Sequence, residues 1–118
     1  MEIVSTLLIA IIALLHIYFL VLEMFLWDKP YGRKTFGLTA EFAKESKTLA
    51  ANQGLYNGFL AAGLIWGLLL GDAGTSIKIF FLSCVLIAGI YGGLTVSKKI
   101  LFIQAMPAAI TLALVLFG

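Results

Sequence analysis

Glu23 stands inside the apolar run Phe19-Leu20-Val21-Leu22-Glu23-Met24-Phe25. An ionisable group in such surroundings marks function by default, with a partner to be named. His16 precedes it by seven residues, so on a helix the two share nearly one face, and Trp27 follows one turn further on. A second stretch supplies amides and a phenol. Asn52 and Tyr56 are four apart on one helical face, and Gln53 and Asn57 are four apart on the neighbouring one. Tyr91 and Gln104 come from two further apolar stretches. The chemistry this set suits is recognition of a small, partly apolar molecule. Glu23 would be its charged anchor or general base, and so the candidate catalytic group. Asn52, Gln53, Asn57 and Gln104 would orient polar atoms, while Trp27, Tyr56 and Tyr91 would line the apolar part. His16 is either a further ligand-binding group or a neutral imidazole packed against a carbonyl.

Each residue also has a plainer role. Glu23 could snorkel to an interface or pair with Lys98 or Lys99. The amides could act as glue between helices, each contributing around 1 kcal/mol. Cys84, in the middle of an apolar run, reads as a small hydrophobe.

The rest of the composition narrows the setting. Of 118 residues, 62% are hydrophobic and only 12% charged, too few charges to wet the surface of a soluble domain of this length. A net charge of +2 is too small for a surface that tracks nucleic-acid phosphates. One cysteine and one histidine leave no disulfide framework, CxxC motif or metal-ligand set, so neither a metal nor a cofactor is expected. An all-α integral membrane protein remains, a four-helix transmembrane bundle forming one domain, multi-pass in a bacterial plasma membrane with lipids as its neighbours.

A bilayer core of roughly 30 Å needs about 20 apolar residues per helical span. The expected spans run over about 3–27, 49–70, 77–96 and 100–117, with a long loop over 28–48. The first reads as a retained helix, since it lacks the basic start and the small-residue cleavage site of a signal peptide. The first and third connections share one side and hold seven of the eight basic residues, Lys78 being the exception. The positive-inside rule places them in the cytoplasm and both termini outside. Tyr18, Trp27, Tyr31 and Trp66 then fall near interface depth, and every polar candidate except His16 falls in the cytoplasmic half.

Three local features complete the reading. Pro30-Tyr31-Gly32 is expected to break the first helix, and Thr39 to cap a second that starts near Ala40 and runs straight into the bilayer. Phe42, Leu49 and Tyr56 recur along it at a helical interval, while Lys44, Glu45 and Lys47 face elsewhere. Glycine pairs four apart, Gly54/Gly58, Gly63/Gly67, Gly67/Gly71 and Gly89/Gly93, predict close helix contacts within one chain or between chains. Pro107 is expected to kink the last helix and free a carbonyl around Ile103.

The strings His16-Ile17-Tyr18 through Glu23-Met24-Phe25-Leu26-Trp27, Asn52-Gln53-Gly54-Leu55-Tyr56-Asn57-Gly58, Gly89-Ile90-Tyr91-Gly92 and Gln104-Ala105-Met106-Pro107-Ala108 resemble one family. They are similar to the small membrane proteins grouped as domain of unknown function 1304. The resemblance covers essentially the whole chain and implies a compact protein with four membrane helices, with no substrate attached. In plan alone the chain also resembles the membrane-associated eicosanoid and glutathione metabolism family, whose members form trimers. That family's second helix carries arginines for glutathione, whereas the single arginine here, Arg33, precedes the second span.

Three functions follow as expectations. The first is a polar pocket in the cytoplasmic half that binds or processes a small amphipathic or lipid-like molecule. The second is a small proton-coupled transporter acting as a homo-oligomer. The third is a structural or regulatory partner of another membrane protein, docking through the glycine faces.

Overall fold

A computed structural model describes residues 2–118. Among them are five α-helices and no strand: α1 (Glu2–Met24), α2 (Pro30–Phe36), α3 (Ala40–Leu69), α4 (Thr75–Thr95) and α5 (Met106–Phe117). A 3-10 turn, Gly71–Gly74, leads into α4, and a π-helical turn, Leu101–Ala105, leads into α5. Two helical stretches, Glu2–Met24 and Gly71–Thr95, are long and apolar enough to cross a membrane.

The boundaries correct the sequence reading in two places. The first helix ends at Met24 rather than Trp27, and Pro30 begins a helix instead of merely ending one. Proline is tolerated in the first turn of a helix, where its missing N–H would have no intrahelical partner anyway. The new helix closes on Gly37 in the left-handed region (φ 66°), whose N–H caps the Arg33 carbonyl. Thr39 caps α3 as expected, its Oγ1 accepting from the Phe42 N–H at 3.1 Å. From there α3 runs unbroken for 30 residues, about 45 Å at the α-helical rise.

The chain forms two compact units, one built from the residues up to Ala13 together with Leu60–Gly118, the other from Leu14–Phe59. In the first, Ile9, Ile12, Ala13, Leu64, Leu82, Val85 and Ala108 make a buried core. At Gly89 the approach is to backbone, where an added Cβ would stand 2.6 Å from the Ala105 amide nitrogen and 2.9 Å from its Cβ. That approach sets α4 against the π turn. The disturbance expected at Pro107 therefore takes the form of a widened turn, in which the Met106 N–H reaches back five residues to the Leu101 carbonyl. Gly89→Leu is expected to cost at least about 1–3 kcal/mol, because the obstacle is backbone that no rotamer change can move aside. Thermal unfolding in detergent micelles, followed by circular dichroism, measures it.

In the second unit the inward face of α3 is its small one. Ala43, Ala50 and Gly54 are buried, whereas Phe42, Leu49 and Tyr56 are exposed. Gly54 meets α1 directly, since a Cβ there would lie 2.7 Å from Met24 Cγ and 3.0 Å from Glu23 Cβ. Gly58 faces Leu20 in the same way. Of the glycine faces that sequence left open between intrachain and interchain packing, those at Gly54, Gly58, Gly63, Gly67, Gly89 and Gly93 are filled by the same chain, while Gly71 faces open space.

Candidate functional site

The seven-residue spacing of His16 and Glu23 puts both on the buried side of α1, 0% and 5% exposed, while Leu14, Ile17 and Val21 take the exposed side. Small residues on α3 let its backbone come close at this level, and that closeness brings two amides within reach of the carboxylate. Gln53 Nε2 donates to Glu23 Oε2 at 2.7 Å, and Asn57 Nδ2 donates to Oε1 at 2.5 Å. Each carboxylate oxygen thus receives one N–H from a neutral donor. Among the described residues no cation pairs with it, and a carboxyl group without a counter-ion in apolar surroundings can take up a proton or a cationic group. The carboxylate turns inward, so the snorkelling reading does not describe it.

The other sequence candidates fall in several places. His16 packs its ring edge-on against Phe19, with centroids 5.4 Å apart. Asn52 and Tyr56 occupy the exposed side of α3, while Gln53 is exposed and Asn57 half-buried. Tyr91 on α4, 71% exposed, and Gln104 in the π turn, half-buried, belong to the other unit. Of the nine candidates, Glu23, Gln53 and Asn57 are joined by hydrogen bonds.

Trp27 has a different task from the apolar lining expected of it. Its indole N–H donates to Ser46 Oγ at 2.9 Å, that hydroxyl donates on to the Phe42 carbonyl, and the indole ring lies tilted on Phe36 at 4.9 Å. One side chain therefore ties the turn after α1 to both α2 and α3. Beside it Lys47 Nζ pairs with Asp28 at 3.1 Å. Sequence reasoning passed over Ser46 and the Asp28–Lys47 pair. The signal was there in a tryptophan and an acid at a helix end facing a polar helix start.

Lys47 holds the Asp28 carboxyl below the usual carboxylate range. A depressed folded-state pKa gives stability that is present above the unfolded value and is lost as pH falls through the folded one. Wild type and Asp28→Asn should therefore differ at neutral pH and converge on acidification. The gap should shrink in high salt, since the pair is solvent-exposed. An acid titration of unfolding for both proteins checks this.

A cavity of about 220 Å³ opens in the first unit, lined by Glu2, Ser5, Asp72, Thr75, Lys78, Leu114 and Val115. It shares no residue with the Glu23 cluster. It lies at the helix ends that bear Glu2 and Asp72.

A buried carboxylate held by amides, on an all-α chain with two helices apolar enough to cross a bilayer, defines a helical protein with an internal polar cluster. The chain belongs to the family described as protein of unknown function (DUF1304), whose pattern it matches over residues 10–116. It is 32% identical over 114 residues to a protein of Lactococcus lactis subsp. lactis (strain IL1403) named uncharacterized protein YpaA, an alignment covering 95% of this chain and 96% of that one. No solved structure matches it.

Proposed function

We propose that the chain is a four-span protein of the bacterial plasma membrane with both termini outside, whose Glu23 cluster binds or processes a small amphipathic or lipid-like molecule from the cytoplasmic side. The observation that carries this reading is the Glu23 carboxylate, almost wholly buried and, among the described residues, served by neutral amides alone. Gln53 is exposed, so a ligand that displaces its amide gains Oε2 without opening the packed core.

The membrane setting has support from the distribution of side chains. Along α1, Ile3, Leu7, Ile11, Leu14, Ile17 and Val21 form an exposed apolar stripe while Ser5, His16 and Glu23 are buried. That is the reverse of a water-soluble helix, and an apolar surface of such extent calls for a covering. Asn52, Gln53 and Asn57 dilute the apolar character of α3, and the last apolar helix, Leu101–Phe117, is a short one. Two of those amides, Gln53 and Asn57, are taken up by Glu23, and a π turn stands at the entry to α5. Lipids and further copies of the chain are the neighbours this surface would take.

The test has two arms. On a Cys84→Ser background, a cysteine in place of Asp72 should react with an impermeant maleimide on intact cells, and one in place of Lys34 only after lysis. The opposite pattern overturns the topology. Small molecules co-purifying with the wild type and with Glu23→Gln are then compared by mass spectrometry. A species lost from the variant supports the site, and identical profiles reject it.

Because no cation sits on the carboxylate among the described residues, proton-coupled transport by an oligomer is the second reading. It requires cation uptake into proteoliposomes that follows a pH gradient and vanishes in Glu23→Ala. The docking-partner reading loses its main support, since the chain fills most of its own glycine faces.

A further inference from the structure

The segment Lys29-Pro30-Tyr31-Gly32-Arg33-Lys34-Thr35-Phe36-Gly37 carries three cations and no carboxylate. It includes the whole of α2, and three contacts hold that helix in place. The Tyr31 hydroxyl bonds the Tyr18 hydroxyl of α1 at 2.5 Å. Gly32 packs directly on the Leu26 carbonyl, so close that no side chain fits between. Phe36 lies on Trp27, and the Gly37 N–H closes the last turn.

Tyr18 stands six residues before the end of α1, roughly 9 Å along the helix axis. A helix whose first residues reach back to that level runs beside the final turns of α1 instead of projecting from them. In a bilayer entered from the side that carries most of the lysines and arginines, this is headgroup depth. Tyr31 is exposed there, and its amphipathic ring favours that layer.

The charges point the same way. Asp28, the nearest acid in sequence, is occupied by Lys47, and Glu41 and Glu45 lie on α3. Lys29 and Lys34 are exposed. Arg33 is half-buried, and its Nε–H is closed off from solvent with no acceptor among the described residues. A guanidinium N–H shielded from water favours an anionic oxygen, and arginine meets phosphate through paired N–H groups in a way lysine cannot.

We propose that α2 is a binding site for the headgroup of an anionic phospholipid of the inner leaflet, with Arg33 holding the phosphate and Lys29 and Lys34 supplying the surrounding positive field. This rests on the membrane topology proposed above, and the experiment separates the two. The full chain is assembled into nanodiscs of phosphatidylcholine with a minority of phosphatidylglycerol, and retained lipid is identified by native mass spectrometry.

Wild type is expected to enrich phosphatidylglycerol, and soluble glycerol phosphate should not displace it. Each juxtamembrane cation contributes about a fivefold preference, so Arg33→Gln with Lys34→Gln should weaken retention roughly 25-fold. Arg33→Lys, which keeps the charge and loses the fork, should weaken it severalfold, and Lys98→Gln with Lys99→Gln should leave most of it. Failure of the chain to enter nanodiscs overturns the topology and this site together. Entry with equal enrichment in wild type and the double variant overturns the site alone. So does Arg33→Lys behaving as wild type, because a diffuse field would then suffice. Displacement by glycerol phosphate rejects the lipid as the ligand.

Discussion

Glu23→Ala is expected to destabilise the protein by about 2–4 kcal/mol, whereas Glu23→Gln should cost about 1 kcal/mol or less. Alanine removes the acceptor of two N–H groups at once. The Asn57 amide, half-buried, is left with an unsatisfied donor, and the exposed Gln53 amide can turn outward, so the loss falls mainly on one bond. Glutamine at position 23 keeps one acceptor oxygen and the shape of the side chain. Its new NH2 faces an amide that can present its own oxygen by rotating. A double-mutant cycle between Glu23→Ala and Asn57→Ala isolates the pair. Hydrogen bonds between membrane helices average only about 0.6 kcal/mol and reach about 1.7, and a charged acceptor belongs at the upper end.

Stability and function then separate. If the cluster is glue, Glu23→Gln keeps both. If Glu23 handles a ligand or a proton, Glu23→Gln keeps the fold and loses the activity, because it can neither carry charge nor exchange a proton. A Glu23→Gln protein that melts like wild type and retains every co-purifying molecule would leave the cluster with a purely structural role.

How far the sequence reveals this arrangement depends on the element. The spacing of His16 and Glu23 predicts a shared buried face, and both are buried. The pairing of Glu23 with Gln53 and Asn57, rather than with Asn52 and Tyr56, follows from the small residues beside them. Ala43, Ala50 and Gly54 mark the face of α3 that can approach another helix, and Gln53 and Asn57 flank it. Phe42, Leu49 and Tyr56, the bulky residues that recur along α3, lie on its other side and are exposed. Helix α2 escaped the sequence reading because a proline ends one helix and begins another with equal ease. Only Gly37 and the cations of the last turn say which. The π turn is legible from Pro107 as a disturbance but not in kind. Its form depends on how closely Gly89 lets Ala105 approach, a long-range contact that local sequence does not encode.

Gly54→Leu puts the second large prediction on the same contact. A Cβ at Gly54 would lie 3.3 Å from the Leu20 carbonyl oxygen as well as against Glu23 and Met24. The Met24 side chain is flexible and could move aside, so Gly54→Ala should cost only about 1 kcal/mol. Leucine adds three further carbons against the α1 backbone and must force the two helices apart, at a cost of about 3 kcal/mol or more. Separation also stretches the two bonds to Glu23, which sit one residue before and three after the substitution. Adding Glu23→Ala to Gly54→Leu should therefore cost almost nothing further, although alone it costs several kcal/mol. That non-additivity is the signature of one shared contact. Melting curves of the single and double variants in dilute detergent read it directly. If Gly54→Leu instead melts like wild type and changes only the size of the assembled particle, then Gly54 packs between chains and the Glu23 cluster is held together without it.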